Sequence, residues 1–130
     1  MKRSFVFLLF LVILLPPCFC KRTEPKKVPS VFVNGIEFRV IHFYNPENKT
    51  PQNGGIIEVY SISTNTRIDT IIVYTTEYSN SKEKDVQDVF ITKMKLLNPT
   101  ILQVTNEKKQ VFLVNIEKYV QEAENEKMVR

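Results

Sequence analysis

The sequence predicts an all-β protein: a small antiparallel meander of about six strands, forming a sandwich or an incomplete barrel, with a short C-terminal helix or tail. Three observations predict this. Apolar residues recur at period two through most of the chain between Val31 and Ile116, as in strands that bury one face. Turn signals punctuate these runs at Asn34-Gly35, Thr64-Asn65, Asn98-Pro99 and Asn106 to Lys109. The spacing switches to a helical one only at the end, where Ile116, Tyr119, Val120 and Ala123 recur three or four residues apart.

The first twenty residues read as an address rather than as part of the fold. Lys2 and Arg3 form a basic start, Phe5 to Leu15 is an unbroken apolar run, and Pro16-Pro17 ends it. Cys18 and Cys20 then stand three and one residues before a cut ahead of Lys21, the layout of a secretory signal peptide. The apolar run is shorter than the roughly 20 residues that span a bilayer. A cut there removes both cysteines, so the exported chain depends on packing, with no disulfide. The alternative is a lipoprotein signal acylated at Cys18, with Leu15 in the expected upstream place and prolines where small residues are usual. Residues 21–30 read as a basic, proline-containing tether, 31–116 as one β domain, and 117–130 as a helix or frayed tail.

Charge narrows the partners. Two of the 18 Lys and Arg residues lie in the leader and none of the 14 Asp and Glu do, so the net charge of +4 falls to about +2 after cleavage. Nucleic acid, which requires a concentrated basic face, is not expected.

Along the domain, Val31 to Val33 runs into Asn34-Gly35, a strong hairpin signal because both residues tolerate positive φ. Ile36, Phe38, Val40, His42 and Tyr44 share one face of the next strand. Its later part, with Ile41 and Phe43, is apolar on both faces, as a central strand is. Asn45 to Gly54 is a loop in which Pro46 and Pro51 prevent ladder pairing. Gly55 to Ile62 is a strand entered through a glycine bulge. The β-branched run from Arg67 to Glu77 is the next, and Tyr78 to Lys84 is a polar loop. Asp88 to Leu97 fits both periods; a strand is preferred, because Asn98-Pro99 is a turn and Ile101 to Thr105 is its return partner. Val111 to Ile116 closes the meander.

Few residues are arranged for chemistry. His42, the single histidine, reads as a half-buried ring satisfied by a neighbour, since no second His or Cys outside the leader could share a metal. Glu83, Asp85 and Asp88 form an acidic group, read as a solvated loop rather than a hard-cation site or carboxylate pair. Gln52-Asn53-Gly54-Gly55 lacks the Lys-Ser/Thr and helix of a phosphate cradle. Tyr44, Tyr60, Tyr74 and Tyr78 could stack on sugars or bases, with Tyr60 and Tyr74 as cross-strand partners, but packing explains them as well. Asn48-Lys49-Thr50 is a formal glycosylation sequon followed by proline.

Four blocks carry a resemblance. Gln52-Asn53-Gly54-Gly55-Ile56-Ile57-Glu58-Val59-Tyr60, Asp85-Val86-Gln87-Asp88-Val89-Phe90-Ile91-Thr92, Val104-Thr105-Asn106-Glu107 and Phe112-Leu113-Val114-Asn115 together resemble a family of small uncharacterised bacterial exported proteins, periplasmic or lipoprotein-like. That family is similar to a single blade of a pyrroloquinoline-quinone-type propeller. Ser61 stands where the blade has Asp, Asn65 where it has the turn glycine, and Asp69-Thr70 where its tryptophan pair falls. One blade closes no propeller, so no quinone or other cofactor is implied. The resemblance implies an all-β fold, an envelope location, and Asn53, Glu58, Asp85, Gln87, Asp88, Asn106 and Glu107 as the binding positions.

The function expected is that of an exported, non-catalytic β domain, structural or binding another envelope protein through strand edges or loop tips. Membrane contact is expected only through the leader or a lipid anchor. A special case is an inhibitor of a secreted hydrolase that inserts the loop Asn45 to Gly54. The alternatives are a hydrolase using Asp85, Asp88 or Glu58 as a carboxylate pair and a barrel holding a small apolar ligand.

Overall fold

A computed structural model describes residues 22–42 and 52–129. The expected leader and its cleavage or acylation at Cys18, Tyr44, the sequon and most of the Asn45 to Gly54 loop lie outside the described residues.

Among the described residues the fold is mostly β, with seven strands in two antiparallel sheets and no closed barrel. Strands β1 (Val31–Val33), β2 (Ile36–Ile41), β3 (Ile56–Ser61) and β4 (Thr66–Ile72) form the first sheet in sequential order. A helical turn, α1 (Lys84–Gln87), lies in the crossing to the second sheet. That sheet contains β5 (Ile91–Asn98), β6 (Ile101–Asn106) and β7 (Val111–Asn115), and helix α2 (Glu117–Met128) ends the described chain.

Turn chemistry sets the registers. Asn34 and Gly35 adopt φ of 49° and 84°, so β1 folds back on β2 with Val33 opposite Ile36. Asn65 has φ 51° at the β3–β4 turn, and Lys109 has φ 65° before β7. Such conformations are adopted by few residue types without strain, and asparagine is the readiest after glycine.

Alternation then fills the space between the sheets. Ile36, Phe38, Ile57 and Val59 face Ile91, Met94, Leu102 and Val104, and Ile116, Tyr119, Val120 and Ala123 close one end. Phe38, fully buried, meets the Tyr119 ring edge-on at 5.9 Å between centroids, a favoured aromatic geometry. Asn115, the last residue of β7, accepts a 2.8 Å hydrogen bond from the backbone N–H of Glu117 at the start of α2. The expected helical stripe is the buried face of this helix.

Three expectations change. The strand foreseen from Arg67 to Glu77 stops at Ile72. The N–H of Thr76 is taken instead by the Gln52 side chain at 2.8 Å, which draws the backbone out of the sheet. The strand preferred over Asp88 to Leu97 forms but starts only at Ile91 and runs to Asn98, and one helical turn, Lys84–Gln87, stands before it where a polar loop is expected. The segment 22–30 is not a free tether, because Val28 is 4 % exposed in the core and Arg22 is held by residues of the second sheet and its approach. No helix among the described residues is long and apolar enough to cross a membrane.

Candidate functional site

The polar positions of the motif blocks gather where the chain passes from one sheet to the other. Gln52 starts the assembly. Its Nε2 donates to the carbonyls of Gly54 (2.6 Å) and Tyr74 (2.7 Å), while Oε1 accepts from Thr76. All three partners are backbone, so one buried amide fixes the exit of β4 against the entry of β3. Gly54 is required by contact: a Cβ there would lie 2.0 Å from the carbonyl oxygen of Val89. Gly55 adopts φ +74° and its carbonyl accepts from Val73, so β3 is entered through the expected glycine irregularity.

Asp88 is the next node and is 4 % exposed. Its Oδ2 accepts from Asn53 Nδ2 at 2.8 Å and its Oδ1 from the Tyr78 hydroxyl at 2.5 Å. Burial, then the neighbouring Asp88, pushes the Tyr78 hydroxyl up to about 12. Gln87 closes the loop behind it, donating to the carbonyls of Ser79, Lys82 and Glu83 and accepting from the N–H of Ser79.

Arg22 joins this loop to the second sheet. Its guanidinium donates to the carbonyls of Asp85 (2.9 Å) and Asp88 (2.5 Å), pairs with Glu107, and lies 4.4 Å above the Phe90 ring. Glu107 also accepts from the N–H of Phe90 at 3.2 Å and returns its own N–H to the Phe90 carbonyl at 2.9 Å. Asn106, with no exposed surface, exchanges hydrogen bonds with Gln110 and shapes the β6–β7 turn.

Thus Asn53, Asp85, Gln87, Asp88, Asn106 and Glu107 belong to one region, in which Asp85 contributes its backbone carbonyl and remains exposed. Glu58 does not join them. It sits in mid-β3, accepting from Tyr60 (3.2 Å) and Arg67 (3.1 Å), while Arg39 lies 3.9 Å over the Tyr60 ring. The carboxylate pair that would have used Glu58 with Asp85 or Asp88 is not assembled.

Among the described residues, Tyr60 and Tyr74 share no common platform. Tyr60 pairs with Arg67 across β3 and β4, whereas Tyr74 lies beyond β4, stacked on Phe112 at 4.8 Å and donating to the Val89 carbonyl at 2.7 Å. Burial raises the Tyr74 hydroxyl well above the ordinary tyrosine range. His42 is half-buried as expected. Its Nε2 lies 3.1 Å from the Lys26 carbonyl, its ring meets Phe90 edge-on, and Nδ1 has no hydrogen-bond partner among the described residues.

These elements border an open groove of about 1480 Å³. The stacked Tyr74 and Phe112 rings belong to its lining. Thr75 to Glu77 line it too, as do Glu107, Lys108 and Gln110. A smaller recess of about 620 Å³ lies beside it, between Pro25, Asn53, Asp88 and Phe90. Among the described residues no group of three His, Cys, Asp or Glu side chains could hold a metal ion.

Sequence reading missed Arg22 and Gln52 as parts of this site. Gln52 stands in a motif block that assigns it no role, and the partners that give these two residues their roles are 63 to 85 residues from Arg22 and largely 22 to 24 from Gln52. No family model, curated protein or solved structure matches the chain.

Proposed function

We propose that this chain is an exported, non-catalytic binding domain that captures an extended polypeptide, a segment of another envelope protein, along the open edge of β7. The observation that supports it is the unpaired edge of β7, a strand whose Phe112 lines the groove. In the β6–β7 ladder the bonds flanking the strand, Ile116 N–H to Thr100 and Asn106 N–H to Gln110, set the phase. Phe112 and Val114 therefore bond inward to β6, and the N–H and C=O groups of Val111, Leu113 and Asn115 point away from it. An edge of this kind accepts an added strand, with main-chain hydrogen bonds giving affinity. The motif residues hold the groove open rather than attack a substrate: Asp88, Gln87 and Glu107 spend their polar atoms on the loop and on Arg22. The likeness of the motif blocks to small exported proteins supports the address.

Leu113→Pro tests this reading. It removes an outward N–H and no ladder bond, a change tolerated on edge strands. The processed wild-type chain is expected to retrieve a reproducible partner from an envelope extract of the producing cell, and the folded variant to lose it. Equal retrieval by both, or no partner for the wild type, overturns the proposal.

A further inference from the structure

We propose that the outer face of the second sheet is a docking surface for an anionic phospholipid membrane. It rests on the outer face of this sheet rather than on the groove, with which it shares Lys108. Cross-strand register places Lys93, Thr105 and Val111 in one row and Lys95, Gln103 and Leu113 in the next. Both rows point away from the core, since the intervening Met94, Leu102 and Val104 are the buried ones. One side of the face is therefore cationic and the other apolar.

The apolar side is open, with Val111 and Leu113 53 % and 64 % exposed. At the end of the face, the β6–β7 turn adds Lys108 and Lys109, both exposed. The strands β5, β6 and β7 contain no Asp or Glu, and none of these four lysines makes an ion pair among the described residues. The first sheet behaves oppositely, pairing Arg39 with Glu37 and Arg67 with Glu58. Acid is concentrated instead on α2, at Glu117, Glu122, Glu124 and Glu126. A near-neutral protein thus carries a one-signed face bearing exposed aliphatic side chains, which suits a surface of anionic headgroups over hydrocarbon. A soluble polyanion would use the lysines and leave Val111 and Leu113 without a role.

The course of the chain agrees. Arg22 is bonded to Glu107, the residue before Lys108. The apolar run ends at Leu15, so at most about 25 Å of extended chain separates it from Arg22. From Cys18 the distance is at most about 14 Å. A retained leader or an acyl group at Cys18 would be tethered within that reach of Arg22. A cleaved chain would keep the lysine face alone.

The test is partitioning of the processed protein onto vesicles of phosphatidylcholine with phosphatidylglycerol, and onto phosphatidylcholine alone. The readout is the ratio of the two partition coefficients, so an acyl chain acting equally on both cancels. The ratio is expected to exceed unity clearly and to fall about fivefold for Lys95→Gln. Lys127→Gln, an equal charge change on α2, should leave it nearly unchanged. The combined Lys93→Gln, Lys95→Gln, Lys108→Gln and Lys109→Gln protein should lose about a hundredfold or more, and Leu113→Ser should weaken binding to the anionic vesicles. A ratio of one for the wild type overturns the proposal, as does equal weakening by Lys95→Gln and Lys127→Gln. Lysine-dependent retention on heparin without vesicle binding would assign the face to a soluble polyanion instead.

Discussion

Asp69 of β4 accepts a 2.5 Å hydrogen bond from the Tyr119 hydroxyl of α2, joining the edge of the first sheet to the C-terminal helix. Lys118 donates to the same oxygen at 2.9 Å. With Phe38 packed on the Tyr119 ring from inside, the helix is held by an apolar face and a polar latch.

The latch has a pH signature. The Tyr119 hydroxyl first, and Lys118 second, hold the Asp69 carboxyl down at about 2 against an ordinary 3.8. A depressed carboxylate stabilises the fold above its unfolded value, and the gain disappears as pH falls from about 4 to about 2. The side chain is 40 % exposed, so solvent screening leaves about 1 kcal/mol. Asp69→Asn should lower the urea-derived stability by that amount at neutral pH and match the wild type below pH 2. An undiminished difference at low pH would show that the latch is not ionic.

Gly54→Ala probes the close approach of β3's entry to Val89. The new Cβ would lie 2.0 Å from a carbonyl oxygen, and neither backbone can move without breaking the hydrogen bonds of Gln52 or Tyr74. A loss of at least about 2 kcal/mol is expected from such overpacking. Thermal unfolding measures it, and an unchanged midpoint would mean that the loop is free to yield.

Much of the fold was legible because its determinants are local. Asn34-Gly35 and Asn65 take the positive φ values that their turns demand. Ile116, Tyr119, Val120 and Ala123 show the buried stripe of α2 in their spacing alone. The end of β4 was illegible because it is decided by Gln52, which bonds Thr76 from 24 residues away. The site divided in the same way. Asn53, Asp88 and Glu107 could be read as polar positions within motif blocks, but the bond between Asn53 and Asp88 spans 35 residues and Arg22 joins Asp88 to Glu107. A basic residue beside prolines reads as solvated until its carbonyl partners at Asp85 and Asp88 come into contact. Glu58 shared a block with Asn53 yet lies in a strand, where Arg67 and Tyr60 surround it.

Arg22 makes a direct test of the network. Its guanidinium binds two backbone carbonyls, the Glu107 carboxylate and the Phe90 ring while 25 % exposed. Charge-assisted bonds of this kind are worth more than neutral ones. Arg22→Gln should cost about 2 kcal/mol and raise amide hydrogen exchange through Asp85 to Phe90 while leaving β2 and β3 protected. Uniform exchange across the domain, or no loss of stability, would place the arginine outside the framework.

His42 offers a second titration, and a clean one, because the chain has a single histidine. Nε2 sits against the Lys26 carbonyl, so the neutral ring carries its proton there and leaves Nδ1 unprotonated in a dry position. Burial is the main influence on the ring and lowers its affinity for a second proton below the ordinary 6.5; the Lys26 carbonyl, Glu107 and Glu24 oppose this more weakly. Above that pH the ring is neutral in both folded and unfolded chains and adds no pH dependence. Below it the unfolded chain takes up the proton first, so folding stability falls until the folded ring also protonates. His42→Phe should flatten the stability profile on the acid side of 6.5, and NMR titration of the wild-type ring should give a midpoint below that value. A midpoint at or above 6.5 would mean that the ring is solvated and that the segment 22–30 is not seated on it.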